Sequence, residues 1–260
     1  MACAVAAWPA AAAVPRIVSI NPCIDTVLMR IADPHQIAGI SSYSQDPRAS
    51  SVPLAWARRF ASTSGTAEEV VALRPDLVLA GPHVSPATIA ALQRMQIRLV
   101  QYPVATTVED SIAQVRDIAR RIGGTAKGEA LAMRIETAAR PLPLPPLPAL
   151  IWSGGGLVPG KGTLPDALLA RAGFHNVSSD VGLQQWDVLG LEPLIAHPPR
   201  VLFSVGAAEE GRDRLAHHPA LRRLGRRIRI VPFPVRLMNC GGPVIIDTMA
   251  ALTATRHKLR

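Results

Sequence analysis

The fold is decided by a stretch at residues 107–148, which reads TVEDSIAQVRDIARRIGGTAKGEALAMRIETAARPLPLPPLP. It opens with the pattern of a helix N-terminal capping box, because Thr107 stands three residues before Asp110. Apolar residues then recur at helical spacing as far as Ile122, where the glycine pair 123–124 ends the helix. The stretch therefore begins with one amphipathic helix.

A second helix and a proline tract complete the stretch. Helical spacing resumes over residues 126–140, and the prolines within 141–148 cannot extend a helix and favour a stiff polyproline II conformation. We expect residues 125–148 to form a semi-rigid connector, made of a single long helix and its proline-rich tail. The connector would join an N-terminal lobe, residues 14–124, to a C-terminal lobe, residues 149–260.

Strand and helix patterns alternate on both sides of this connector. Such alternation is typical of mostly parallel sheets with helices on both faces, so the sequence predicts two Rossmann-like α/β lobes. Strands are expected at 16–20, 37–40, 77–80 and 97–101 in the first lobe, and at 149–153, 201–205 and 229–232 in the second.

The two lobes share a repeated segment. Glu68 is followed by alanine at the fourth residue and proline at the seventh (72 − 68; 75 − 68). Glu192 is followed by the same residues at the same spacings (196 − 192; 199 − 192), and three apolar strand residues come next in each segment. The repeat supports two lobes of similar build.

Length and charge limit the class of protein. The chain has 260 residues, 48% of them hydrophobic, which is enough for one sizeable core or two smaller ones. The net charge of +9 is spread over the chain, and the densest basic cluster, at residues 222–229, has no interleaved aromatic residues. Single-strand binders need such aromatics, so we expect a solvated surface and no nucleic-acid partner.

The first 13 residues are small and apolar and end in four alanines, which resembles a secretory signal segment without its positive leading region. No stretch reaches the roughly 18 to 20 apolar residues that span a bilayer. An exported chain without residues 1–13 would keep two cysteines, Cys23 and Cys240, which could form one disulfide.

Candidate ligand contacts follow from the α/β architecture. Ligands of such folds bind in the crevice beyond the carboxyl ends of the strands, so residues just after each strand are the candidates. Aromatic, amide, imidazole and guanidinium groups there suit a bulky organic ligand with polar edges. The predicted cleft residues are Cys23, Tyr43, His83, Tyr102, Trp186, Arg236 and Cys240.

One glycine-rich motif favours a different class of function. Residues 155–161 fit the start of a phosphate-binding loop, but Gly162 stands where that loop needs Ser or Thr for magnesium. No nucleophile–base constellation or metal-binding histidine spacing is present in the sequence. A cytosolic α/β enzyme that uses a phosphate-bearing substrate at the turn 154–161 is therefore the less favoured alternative.

Six segments together resemble a known family. They are RIVSINP (16–22), ISSYSQDP (40–47), residues 68–81, GKGTLPDALLARAG (160–173), residues 186–192 and GGP (241–243). In order and spacing they resemble periplasmic substrate-binding proteins of ABC importers for cobalamin, iron–siderophores and haem, whose two lobes are tied by one helix. The resemblance extends from Arg16 to about Leu252.

The resemblance implies a function. Such a protein would be a periplasmic monomer without catalytic activity, resident metal or cofactor. It would capture a metal chelate, either a cobalamin-type corrinoid or a ferric siderophore, and deliver it to the membrane permease of an ABC importer. A haem receptor of the same class is the alternative.

The resemblance also implies residue roles. Glu68 and Glu192 match the glutamates that dock onto basic residues of the permease, and Tyr43 and Trp186 match aromatic cleft positions of cobalamin-binding members. Residues 60–65 lack the stacking tryptophan of those members. Further possible contacts are His83 and Tyr102 to haem iron and Arg236 to an anionic siderophore.

Cys23 and Cys240 lie in loops of opposite lobes. A disulfide between them requires Cα atoms within about 7 Å and would tie the cleft together. We hypothesise that the two residues lie close together, and two separate buried thiols are the alternative.

Overall fold

The computed structural model describes residues 14–206, 219 and 227–259. The signal-like segment 1–13 and the part of the basic cluster before Arg227 lie outside the described residues. The strands are β1 Ile17–Ser19, β2 Ile37–Ser41, β3 Ala61–Thr63, β4 Leu77–Ala80, β5 Arg98–Gln101, β6 Leu147–Trp152, β7 Leu157–Pro159, β8 Phe174–Asn176, β9 Trp186–Val188, β10 Val201–Val205 and β11 Arg229–Phe233. The helices are α1 Pro22–Ile31, α2 Leu54–Ala57, α3 Ala67–Ala72, α4 Pro86–Arg94, α5 Val108–Arg121, α6 Thr125–Ala138, α7 Leu164–Arg171, α8 Leu191–Ala196 and α9 Val244–His257.

Two parallel sheets organise these elements. The first has the order β3-β2-β1-β4-β5 and the second has the order β11-β10-β6-β8, with every pair of neighbours parallel. The predicted α/β fold class is confirmed. The repeated segment forms α3 with β4 in one lobe and α8 with β10 in the other, so the repeat has the same structural role in both.

The second sheet, and a separate two-stranded ribbon beside it in the chain, differ from the sequence prediction. Strand β6 begins at Leu147, inside the proline tract, where Pro148 pairs with His175 of β8 and its carbonyl accepts from the Arg200 amide at 2.9 Å. Proline lacks only the donor, so it is tolerated near the start of a strand. The sequence prediction also missed β8 and the antiparallel ribbon of β7 and β9.

The central stretch forms a helical hairpin. The predicted capping box is present: the Asp110 amide donates to Thr107 Oγ1 at 3.0 Å, and the Thr107 amide donates to Asp110 Oδ2 at 3.1 Å. The N-cap of α6 is Gly124. A Cβ added to Gly128 would lie 2.2 Å from the Ala119 Cβ, so this glycine allows α5 and α6 to pack closely.

Helix α6 packs against both lobes as well as against α5. It contacts α1 of the first lobe and α9 of the second, so the connector is a packed part of the molecule. One apolar core runs through it, from Ile17 of β1 through Ile135 of α6 to Phe203 of β10. The lobes therefore share a core.

No helix among the described residues combines the length and the apolar character that a transmembrane segment requires.

Candidate functional site

A cavity of about 650 Å³ lies between the two lobes. Each sheet has a topological switch point, where successive strands are added on opposite sides of the first one. It lies between β1 and β4 in one lobe and between β6 and β10 in the other. Residues just beyond the carboxyl ends of these four strands line the cavity. They are Asn21 after β1, Gly81 after β4, Ser153 after β6 and Gly206 after β10. The crevice predicted from the architecture is thus present, because parallel strands leave room at such switch points.

The N-terminal wall depends on Asn21. Its Oδ1 accepts from the amides of Cys23 at 2.9 Å and Ile24 at 3.3 Å, which caps α1 at the cavity. A Cβ at Gly81 would lie 2.3 Å from Asn21 Nδ2, so a larger residue at position 81 would displace the side chain that forms this cap. His83 follows and lines the cavity, and its ring has no hydrogen-bond partner among the described residues.

Tyr102 lines the cavity, and its hydroxyl group is hydrogen-bonded to Asp117. The side chain is only 7% exposed, and the hydroxyl donates to Asp117 Oδ2 at 2.8 Å. Burial first, and then this hydrogen bond to the Asp117 carboxylate, raise the pKa of Tyr102 above its usual range. The phenol oxygen is already hydrogen-bonded to Asp117 in this structure, and its role as a ligand of haem iron stays a prediction.

The C-terminal wall is built on the ribbon of β7 and β9. Trp186 of β9 stands opposite Pro159, and Leu157 stands opposite Val188. Trp186 and Leu157 line the cavity, and Trp186 remains 41% exposed there. A partly exposed indole at a cavity is available for stacking on a planar ligand.

Cys23 and Cys240 form a disulfide that lines the cavity and joins the lobes, with Cα atoms 5.1 Å apart. The hypothesis of proximity is confirmed, and the alternative of two separate thiols is wrong. The next residues of the chain add further contacts across the lobe boundary, since the Gly242 amide donates to Ser111 Oγ of α5 at 2.5 Å. A Cβ at Gly241 would lie 2.7 Å from the same oxygen, so a larger residue there would displace the Ser111 side chain from this contact.

Tyr43 and Arg236 are not brought to the cavity lining. Tyr43 is 62% exposed on a short 3-10 turn at residues 42–45. Arg236 is exposed and pairs with Asp247 at 3.3 Å. The structure thus gathers five of the seven predicted cleft residues, namely Cys23, His83, Tyr102, Trp186 and Cys240.

A buried carboxyl group, Asp25, holds the turn that carries Tyr43. Its Oδ2 accepts from the Ser41 amide at 3.1 Å and from Ser44 Oγ at 2.6 Å, while its Oδ1 has no partner within the described chain. Burial raises the pKa of Asp25 to about 7, although hydrogen bonds from serines act in the opposite direction. This burial was not predicted from the sequence, because a carboxylate in the first turn of a helix is already explained by the favourable interaction with the helix N-terminus.

The described lining of the cavity contains no Asp, Glu, Lys or Arg side chain. Its polar groups are amides, hydroxyls and one imidazole, set among apolar side chains. The residues that carry these groups are Asn21, His83, Thr106, Ser111, Gln114, Ser153, Thr163, Gln185, Asn239 and Thr248. Of these, only His83 is among the predicted cleft residues, although position after a strand could have indicated several others.

The glycine-rich turn does not form a phosphate cradle. The amide of Gly160 donates to the Gln185 carbonyl at 2.5 Å, and that of Lys161 donates to the Leu183 carbonyl at 3.0 Å. The amide of Gly162 donates to the Asp166 carboxylate at 3.2 Å, where an anion already stands. Because these donors are occupied, the geometry disfavours the phosphate-binding alternative.

The two candidate docking glutamates occupy equivalent exposed positions. Glu68 lies in the first turn of α3 and Glu192 in the first turn of α8, and neither has a partner among the described residues. Glu69 beside the former is engaged: its Oε2 accepts from the Ser64 amide at 2.6 Å and from Thr63 Oγ1 at 3.0 Å. These bonds, the Ser64 amide first, lower the pKa of Glu69.

Comparison with known proteins agrees with this architecture. A cobalamin-binding protein of Halobacterium salinarum is 27% identical over 264 aligned residues, covering 93% of this chain and 69% of that protein. The periplasmic heme-binding protein RhuT from Roseiflexus sp. RS-1 has 24% identity and a TM-score of 0.72, covering 92% of this chain and 98% of that one. The periplasmic vitamin B12 binding protein BtuF of Vibrio cholerae has 16% identity and a TM-score of 0.68, covering 92% and 96%.

These solved structures share the fold of this chain. The sequence itself matches the family described as periplasmic binding protein over residues 17–225, most of its length. The chain therefore belongs to the periplasmic binding protein family.

Proposed function

We propose that this protein captures a metal chelate in the cavity between its lobes and delivers it to the membrane permease of an ABC importer. The observation that carries the proposal is the cavity itself, lined from both lobes by apolar and uncharged polar groups with Trp186 exposed at one wall. Such a lining suits a bulky ligand that has an apolar body and a polar periphery.

The uncharged lining favours a chelate without net charge at its edges. A cobalamin-type corrinoid carries neutral amides around its ring, and amide and hydroxyl side chains can pair with them. The named cobalamin-binding relative supports this choice. A ferric hydroxamate siderophore, whose periphery is also uncharged, is the next candidate. A highly anionic siderophore fits less well, because the described lining residues include no cation to pair with its charges.

Haem is the second candidate function, and His83 is the observation that favours it. The imidazole lines the cavity and has no partner in the described part of the chain, so a ring nitrogen is available to iron. The two carboxylates of haem would, however, find no cationic side chain in the described lining. We therefore place the corrinoid first.

Delivery to a permease is proposed to use Glu68 and Glu192. Two carboxylates on equivalent turns of separate lobes can orient a rigid body on two basic groups of a partner. Glu69 has a separate, internal role because its carboxylate is already hydrogen-bonded. We propose that the protein acts as a monomer, exported to the periplasm with residues 1–13 as its signal segment, and that it needs no catalysis.

Thermal unfolding tests the proposal. The protein lacking residues 1–13 is heated alone and with cyanocobalamin, a ferric hydroxamate siderophore, haemin or ATP. A ligand at a hundredfold excess over its Kd adds about 2.7 kcal/mol to the free energy of unfolding, which raises the midpoint temperature visibly. Stabilisation by cyanocobalamin supports the corrinoid, stabilisation by haemin alone supports the second candidate, and a shift with ATP but with no chelate overturns the proposal.

A further inference from the structure

Gln185 is the one non-glycine residue of the described cavity lining whose backbone is left-handed, with φ of 56°. This conformation is unfavourable for a side chain with a Cβ. The side-chain amide has no hydrogen-bond partner within the described chain, and it lies beside the turn at Gly162, whose added Cβ would be 3.8 Å from Gln185 Nε2. Gln185 is therefore an exposed lining residue with an uncommon backbone conformation and a side-chain amide that no described residue occupies.

The surrounding backbone holds Gln185 in this conformation. Its amide donates to the Lys161 carbonyl at 3.1 Å, and its carbonyl accepts from the Gly160 amide at 2.5 Å. Gly160 permits this approach, because a Cβ there would lie 2.8 Å from the Gln185 oxygen. The same bonds fix the start of β9, where Trp186 follows.

A second glutamine, Gln96, has the same left-handed backbone conformation for a reason unrelated to the cavity. Gln96 also has φ of 56°, but it directly follows the C-cap of α4, and the Ile97 amide donates to the Leu92 carbonyl at 2.9 Å. Left-handed residues commonly end helices in this way, so the conformation of Gln96 is explained by helix termination. Gln185 follows no helix, and glycine would satisfy its turn without strain.

We propose that Gln185 is a specificity-determining residue, whose side-chain amide pairs with a peripheral amide or carbonyl group of a neutral chelate held against Trp186. The assignment rests on the proposed function and deepens it. Strain of this kind is retained where a side chain serves a ligand, because the site needs the group at that place. Pairing by an amide, which both donates and accepts, selects for uncharged polar groups.

The test compares Gln185→Gly with the matched control Gln96→Gly. Both variants relieve the same left-handed strain, so both should keep their midpoint temperature or raise it by roughly 2–4 °C. The Kd for cyanocobalamin is then measured by titration of tryptophan fluorescence. We expect Gln185→Gly to weaken binding roughly tenfold and Gln96→Gly to leave it unchanged. The affinity of Gln185→Asn should lie between these two, because asparagine keeps an amide and tolerates this backbone.

The outcomes separate this assignment from the proposed function. Wild-type affinity in Gln185→Gly, or an equal loss in Gln96→Gly, overturns the role of Gln185 while the chelate receptor stands. A wild-type protein that binds no chelate overturns both. A large fall in the midpoint temperature of Gln185→Gly alone would show that the side chain supports the fold, which also overturns the assignment.

Discussion

Cys23 and Cys240 are covalently bonded across the boundary between the lobes, and the bond lines the proposed ligand cavity. The two residues are separated by 217 positions in the sequence, so the bond closes nearly the whole described chain into one loop. Two residues after Cys240, the Gly242 amide donates a hydrogen bond to Ser111 Oγ of α5, which also crosses this boundary. At this part of the cleft, the two lobes are therefore held together by a covalent bond and a hydrogen bond.

Removal of the disulfide should lower stability strongly. A chain-entropy model gives about 5 kcal/mol for a loop of this length. We expect Cys23→Ser/Cys240→Ser to unfold at a clearly lower temperature than the wild type, measured by circular dichroism. A phosphine reductant should lower the wild-type midpoint and leave the double variant unchanged, and two free thiols from these positions in unreduced wild-type protein would contradict the bond.

Asp25 should make stability depend on pH. Its pKa is 3.8 in an unfolded chain and about 7 in the fold, so the folded protein holds the extra proton between these values. Stability from this group is complete below about pH 4 and is lost as the pH rises to about 7, by an amount on the order of a few kcal/mol. Denaturant unfolding across this range should show a smaller decline in Asp25→Asn than in the wild type, and equal slopes would contradict the shifted pKa.

Glu68 and Glu69 should differ although they are adjacent. Glu68 has no partner in the described chain, so Glu68→Ala should keep the midpoint temperature and ligand affinity but reduce delivery to the importer. Glu69→Ala should instead lower the midpoint temperature, because Thr63 and Ser64 lose their acceptor. Uptake of labelled cyanocobalamin into proteoliposomes that contain the importer measures delivery, and unimpaired uptake with Glu68→Ala/Glu192→Ala would rule out the docking role.

Gly128 should be essential to the packing of α5 on α6. The Cβ of Gly128→Ala would meet Ala119, and forcing the helices apart should cost about 1–3 kcal/mol of unfolding free energy. The double variant Gly128→Ala/Ala119→Gly moves the methyl group to the other helix and should recover part of the loss. Urea unfolding checks both, and a double variant less stable than the single one would refute the contact.

Trp186 and Tyr43 should respond differently to truncation. Trp186→Ala should weaken cyanocobalamin binding at least tenfold with little change in midpoint temperature, because the indole lines the cavity and is partly exposed. Tyr43→Ala should leave affinity unchanged, since Tyr43 lies outside the cavity lining. A strong loss of affinity in Tyr43→Ala would show that the turn at residues 42–45 closes over the ligand.

Alternating strand and helix patterns predicted the parallel sheets, and the spacing of Thr107 and Asp110 predicted the capping box, because both depend on local sequence. The place of the cleft then followed from the architecture. The ribbon of β7 and β9 was missed because each strand has three residues and one includes Pro159, which leaves too little pattern to detect. Position after a strand also does not determine where a side chain points. Arg236 therefore pairs with Asp247 instead of lining the cavity.

Burial of polar groups was the other property that the sequence could not predict. Asp25 looks like an ordinary first-turn carboxylate, and only the fold brings Ser41 and Ser44 onto it. The uncharged character of the cavity is likewise a property of the assembled wall, since a chain with 28 basic residues keeps them out of its described lining.

The bond between Cys23 and Cys240 also determines how the protein responds to proteases. Any single backbone cut between these residues opens a ring and releases no fragment, so both pieces remain joined and can stay packed on their shared core. Two cuts are needed before a piece can leave. The cleft would thereby stay assembled after a cut that would divide an unbonded chain.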